Sequence, residues 1–213
     1  MKISGGMQEQ GVVVGHAYDK YHSRNPVARR IMAGCHRALE ELVREVAPHS
    51  IHEVGCGEGF WVLHWLRQGI DARGSDFSEQ VIDLAKINAG EEGLPAEAFS
   101  RRSIYDLRAG EDSADLLVCC EVLEHLENPD AGLAALRAVV RDHLILSVPR
   151  EPLWRLLNMA RGKYLGDGGN TPGHIQHWAT GGFIELVGRY FEIVRVRTPL
   201  PWTMLLCRRP GGV

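Results

Sequence analysis

The 213-residue sequence predicts an α/β fold: a doubly wound, mostly parallel seven-stranded sheet with helices on both faces. Three observations carry this expectation. Short apolar runs alternate with amphipathic helical stretches through the first two thirds of the chain, the first run feeds directly into the glycine-rich turn GCGEG, and two further strand-like runs close the sequence.

In chain order, Val27, Ile31, Cys35, Leu39, Leu42 and Val46 recur at helical spacing over 26–46, with Asn25 and Pro26 suited to the N-cap and first turn. Strands are predicted at 51–55, near 70–76, near 96–100, at 115–120 and at 143–148. Helices at about 59–68, 78–89 and 130–141 separate them. Beyond SVPREP come a helix-like PLWRLLNMARGKY, the loop LGDGGNTPGH, a helix near 179–189, and the strands FEIVRVRT and WTMLLCRR. The length suits one domain spanning 1–213, and the opening ten residues read as a loose tail.

Composition narrows the classes. Hydrophobic residues make up 45% and charged residues 24%, ordinary for a globular chain, and a net charge of -3 provides no general attraction for nucleic acid or an anionic membrane. No apolar run approaches the roughly 20 residues that span a bilayer, and no signal peptide is evident. Five cysteines without metal-type spacing point to reduced thiols and a cytoplasmic location. These features argue for a small-molecule partner and against DNA, RNA or a membrane, and leave the oligomeric state open.

The turn at 55–59 carries the chemistry. A dinucleotide site of the GxGxxG type needs a glycine where this chain has Phe60. The tighter Gly55, Cys56, Gly57, Gly59 pattern, with Glu53 just before it, resembles motif I of the class I S-adenosylmethionine-dependent methyltransferases. The resemblance extends in order along 18–208 and implies a Rossmann-like fold with S-adenosylmethionine as cofactor. It places Asp76, in GSDFS, on the ribose hydroxyls with Phe77 beside the adenine. It also sets Cys120 and Glu121, in ADLLVCCEVLEHLENP, beneath the methionyl end. Where the family often has an aspartate for the adenine amino group this chain has Ser103, which leaves Ile104 and apolar neighbours to recognise the base. Tyr18 and Tyr21, in YDKYHSRNP, fall in the segment that covers the cofactor in many such enzymes.

The same resemblance assigns the acceptor to the amino-terminal segment (about 12–46) and the insertion at about 150–178. There Trp154, Leu157, Met159, Tyr164 and Trp178 mix with Arg150, Arg155, Arg161 and Lys163, a composition suited to a medium-sized organic acceptor with a carboxylate or phosphate. His174 and His177 are the candidate bases, since an imidazole near its ordinary pKa accepts a proton at physiological pH. Glu121, Glu124, His125 and His174 match in type and order the metal site of small-RNA 2′-O-methyltransferases, a divalent-ion alternative. The expected activity is methyl transfer to a small molecule, at a hydroxyl oxygen. The rival readings are an RNA 2′-O-methyltransferase and a cofactor-binding module that regulates without catalysis.

Overall fold

The computed structural model describes residues 1–9, 12–15 and 25–211. Tyr18 and Tyr21 lie outside the described residues. Among the described residues a small hairpin, β1 (Gln8–Glu9) with β2 (Val12–Val13), precedes helix α1 (Pro26–Val46). The alternating body follows as β3 (Ser50–Val54), α2 (Phe60–Arg67), β4 (Asp71–Asp76), α3 (Glu79–Glu91), β5 (Phe99–Arg101), β6 (Leu116–Cys120), α4 (Pro129–Val139) and β7 (His143–Pro149). Helices α5 (Leu153–Ala160) and α6 (Thr180–Gly188) and strands β8 (Glu192–Arg197) and β9 (Trp202–Arg208) complete the chain.

Seven strands form one sheet in the order β5-β4-β3-β6-β7-β9-β8. The pairs from β5 through β7 are parallel, whereas β7–β9 and β8–β9 are antiparallel. Strand order reverses between β3 and β6, so the loops leaving their carboxyl ends diverge there and open the crevice in which ligands bind to sheets of this kind. The glycine turn, Asp76 and the turn after β6 lie at the carboxyl ends of the strands around that switch point.

Helix α1 starts as its local sequence dictates. Asn25 caps α1, its side-chain oxygen accepting the amides of Val27 at 2.9 Å and Ala28 at 3.4 Å, with Pro26 in the first turn. Only the second half of α1 buries a full stripe, Ala38, Leu39, Leu42 and Val43. Burial of each such leucine contributes on the order of 2 kcal/mol. One apolar layer joins α1, α2 and α3 to the sheet through Trp65, Ile82 and Ala85. The other packs α4 and α6 on the opposite face through Leu133, Leu136 and Phe183. His52, buried within β3, is held between the Asp112 carbonyl at 2.7 Å and the Ser75 hydroxyl at 2.9 Å. The carbonyl can only accept, so Nδ1 carries the proton and Nε2 accepts from Ser75; burial lowers the pKa of this histidine.

The opening residues depart from the expected loose tail. The Lys2 amide donates to Asn88 Oδ1 at 2.6 Å, Asn88 Nδ2 returns a bond to the Lys2 carbonyl at 3.0 Å, and the Ser4 amide donates to Glu58 Oε1 at 2.9 Å. MKISGG carries no periodic apolar signal, so side-chain partners more than fifty positions away hold it in place. All five cysteines are free thiols, and among the described residues no helix is long and apolar enough to cross a membrane.

Candidate active site

The loop after β3 is shaped by backbone conformation. Gly55, Gly57 and Gly59 adopt φ values of 79°, 53° and 86°, a region that side chains disfavour. At two of them the space is also taken. A Cβ on Gly55 would stand 2.2 Å from Val122 Cγ2, in the loop after β6, and one on Gly59 would stand 2.7 Å from the Phe99 ring. The glycine spacing therefore lets the loops of the switch point touch and lets α2 begin close to β5. Cys56 is buried in the turn, its thiol directed at the Gly57 carbonyl at 3.6 Å and its pKa raised by burial. Glu53 is buried immediately before the loop.

Asp76, at the end of β4, faces this loop. Its Oδ2 accepts the Gly57 amide at 3.1 Å and its Oδ1 accepts the Ser78 amide at 3.0 Å. Burial raises its pKa against the opposing effect of those two amide bonds. Each carboxylate oxygen keeps a lone pair for a further donor, such as a ribose hydroxyl. Phe77 beside it is 37% exposed, unusual for so large an apolar side chain. Ser103 lies across from it as the cap of the 3-10 turn Ile104–Asp106, its hydroxyl accepting the Tyr105 amide at 3.3 Å. Ile104 is buried, packed toward Gly132 and Leu123.

After β6, half-buried Cys120 leads into Glu121, which has a φ of 59°. Glu121 Oε1 accepts from the Ser147 hydroxyl at 3.1 Å and Oε2 from the Trp202 indole at 2.7 Å. Glu124, His125 and His174 converge instead: one ligand atom from each lies within 4.8 Å of the others. Glu121 is not in this group, so the structure gathers three of the four candidate metal ligands. The backbone makes the convergence possible. The amides of Ile175 and Gln176 both donate to the Glu124 carbonyl, at 2.9 and 3.0 Å, docking the loop that carries His174 onto the turn after β6.

His125 donates from Nδ1 to the Gly173 carbonyl at 2.9 Å, which leaves the Nε2 lone pair available. His174 is buried edge-on to His125, with ring centroids 4.8 Å apart, and stacks on Trp154 at 5.9 Å. Burial first, then the neighbouring His125 and His177, lowers its pKa to about 3. His174 is therefore neutral across the physiological range, a departure from the ordinary titration expected of it. His177 sits outside this cluster, exposed and bonded to Asn170 Oδ1 at 2.7 Å.

The insertion is self-supporting. Asn158, buried on α5, donates to the Gly169 carbonyl and to Thr171, while the Trp154 indole reaches Thr171 Oγ1 at 2.9 Å. Arg155 donates to the carbonyls of Gly168 at 2.9 Å and Asp167 at 3.5 Å, and Arg161 bonds Asn158 Oδ1. Arg155 and Arg161 thus brace the loop. Leu157, Met159 and Tyr164 are half-buried, and Trp178 leans on Phe183 at 5.8 Å, on the α6 side of the loop.

Residues 52–146 match a protein family described as a methyltransferase domain, a span that contains the glycine loop, Asp76 and the β6 turn. The match and the fold together liken this chain to the class I S-adenosylmethionine-dependent methyltransferases. It is similar to the ubiquinone biosynthesis O-methyltransferase of Methylococcus capsulatus, 28% identical over 64% of this chain and 63% of that protein. The Bordetella avium protein of the same name is 28% identical over 48% of this chain and 43% of its own length. The matches to these curated relatives therefore span about two fifths to three fifths of their length. Among solved structures, magnesium protoporphyrin IX methyltransferase from Synechocystis, with bound S-adenosylhomocysteine, superposes at a TM-score of 0.66. It is 21% identical over 89% of this chain and 91% of that one. A methyltransferase from Mesorhizobium loti gives 0.60 at 17% identity, over 83% and 98%.

Several residues that shape this site escape a reading of the sequence. Gly74 is one: a Cβ there would meet Cys56 Cβ and Sγ at 2.7 Å, so the glycine lets β4 pass close beneath the loop. Glu58, within the glycine turn, is fully buried and receives the Ser4 amide. Trp202 comes from the last strand, some eighty residues beyond Glu121, and its ring also lies 5.7 Å from Trp154. Only Gly74 left a local trace, as a glycine inside a strand pattern.

Proposed function

We propose that the chain transfers a methyl group from S-adenosylmethionine to a hydroxyl oxygen of a small organic acceptor. The observation that supports this most is the pairing of a buried Asp76, held by the glycine-loop amide, with the exposed Phe77 ring at the same edge. A carboxylate with lone pairs to spare suits a ribose diol, and a partly exposed aromatic ring beside it suits adenine. The curated relatives are named as O-methyltransferases, which favours oxygen as the methylated atom.

The cofactor, when bound, supplies an activated methyl on a sulfonium. This chain's residues supply position: the glycine loop and Asp76 hold the nucleoside end, and the β6 turn orients the methionyl end. Trp154, Trp202 and His174 form the wall where the acceptor would lie. In-line placement of the acceptor oxygen lowers the barrier by limiting the motions to be frozen at the moment of transfer. A neutral His174 has a lone pair to accept a hydrogen bond from the acceptor hydroxyl; its low pKa makes it a weak base, so it takes the proton only as the new O–CH3 bond makes that oxygen strongly acidic.

A second reading, metal-assisted O-methylation as in an RNA 2′-O-methyltransferase, draws on the Glu124, His125 and His174 cluster. One carboxylate and two neutral imidazoles fit a divalent ion, which would polarise the acceptor oxygen. The net charge of -3 favours the small acceptor over RNA.

Binding of S-adenosylhomocysteine by calorimetry tests the cofactor assignment, and Asp76→Ala is expected to weaken it by about 1.5 to 3 kcal/mol. Incubation with labelled donor and a metabolite pool, with and without chelator, then separates the readings. A labelled small product that forms in chelator supports the first, and labelled RNA lost in chelator supports the second. Bound cofactor with no labelled product would indicate a regulatory module.

A further inference from the structure

The amino-terminal segment runs along α3 in the reverse direction. Lys2 is fastened near the helix end, through Asn88 and an ion pair with Glu91 at 2.8 Å, and Glu9 reaches the helix start. There the Glu9 carboxylate accepts the Ser78 hydroxyl at 2.6 Å and the amides of Glu79 at 3.4 Å and Gln80 at 3.5 Å. Ser78 caps the third amide of that turn, Val81, at 3.2 Å, and gives its own amide to Asp76. The unpaired donors of the first turn are thus divided between the adjacent cap residue and a carboxylate about seventy positions earlier in the chain.

We infer that Glu9 is a positioning residue for cofactor binding: by holding Ser78 it holds Asp76 against the glycine loop. Three connections support this. Asp76 Oδ2 is held by the Gly57 amide and Oδ1 by the Ser78 amide, so a displaced Ser78 loosens the grip on Oδ1. Ser78 is fully buried and gives its hydroxyl hydrogen to Glu9, so loss of Glu9 leaves that donor without its acceptor and only the Val81 amide to hold the side chain. The same segment grips the other cofactor loop, where Ser4 donates to Glu58 and Asn88 donates to the Glu58 carbonyl at 3.0 Å. The first nine residues therefore tie the ribose-binding turn to the glycine loop from outside.

This inference rests on the proposed S-adenosylmethionine site, and the test separates the two. S-adenosylhomocysteine affinity and dissociation rate are measured for the full chain, Asp76→Ala, Glu9→Gln, Ser78→Ala and the Glu9→Gln/Ser78→Ala double variant. Glu9→Gln is expected to raise the Kd about 5-fold, chiefly through faster dissociation, because capping interactions of this kind are worth about 1 kcal/mol. In the Ser78→Ala background the same change is expected to have a much smaller effect, since only the two long amide bonds from Glu79 and Gln80 to Glu9 remain. A purely structural cap would lower the melting midpoint while leaving the Kd of the folded protein within twofold, and that result overturns the inference. Equal, additive losses in both backgrounds overturn it as well. If the unaltered chain and Asp76→Ala bind the ligand equally poorly, the cofactor assignment itself fails and the positioning role fails with it.

Discussion

The glycine-loop side of the proposed site and the side built by the loop after α5 are constructed in different ways. At the first, main chain defines the shape: three glycines at positive φ, two of them pressed against Val122 and Phe99, and amides from Gly57 and Ser78 that fix one carboxylate. At the second, side chains define it: Trp154 on His174, His125 on the Gly173 carbonyl, Arg155 and Asn158 on the carbonyls of their own loop. A site defined by backbone tolerates few residue types at each position. A site defined by rings and long side chains can be rearranged to suit another acceptor while the cofactor edge stays the same.

That contrast is sharpest at the histidines, where the largest effect is expected. If His174 takes the acceptor proton, His174→Ala lowers the single-turnover rate by about 10² to 10⁴ with little change in cofactor affinity. His177→Ala, at an exposed ring bonded to Asn170, is expected to stay within about threefold. A His174 variant with a near-normal rate would leave positioning as the whole contribution of this edge.

Backbone definition is tested next, by two glycines at opposite edges. Gly55→Ala meets both a φ of 79° and the Val122 methyl, and is expected to destabilise the chain by about 2 to 5 kcal/mol. Gly162, at the end of α5, has a φ of 70° but nothing within 4 Å of an added Cβ, so Gly162→Ala carries the conformational cost alone, roughly 1 to 2 kcal/mol. Denaturant midpoints for the pair measure the difference, and equal losses would show that the contact with Val122 is not what demands glycine.

The smallest effect concerns His52, buried behind the cofactor edge. Its native pKa lies below 6.5, so between that native value and 6.5 the unfolded chain binds more protons than the folded one. Stability is therefore expected to fall as pH drops below about 6.5. His52→Gln, which keeps a donor and an acceptor, is expected to flatten the melting midpoint against pH over that window. An unchanged slope would assign the acid sensitivity to other groups.

What the amino-acid sequence determined by itself was whatever local spacing encodes. Alternating apolar runs specified the strands and helices, because side-chain period follows directly from backbone geometry. Gly55, Gly57 and Gly59 marked a tight turn because positive φ has a residue signature, and Asp76 was legible as the carboxylate at the end of the next strand. Tertiary structure alone decided the partners. Glu121, read from sequence as a metal ligand, has its oxygens engaged by Ser147 and Trp202, while Glu124 joins His125 and His174. His174 was one of two equivalent imidazoles in GHIQHW until the loop docked and buried one while leaving the other in solvent. Glu9 lay in an apparent tail and became a cap for α3. In each case the deciding bond joins residues that are far apart in sequence, where no periodic pattern records the pairing; only the packed sheet, by bringing its carboxyl ends together, selects which polar groups meet.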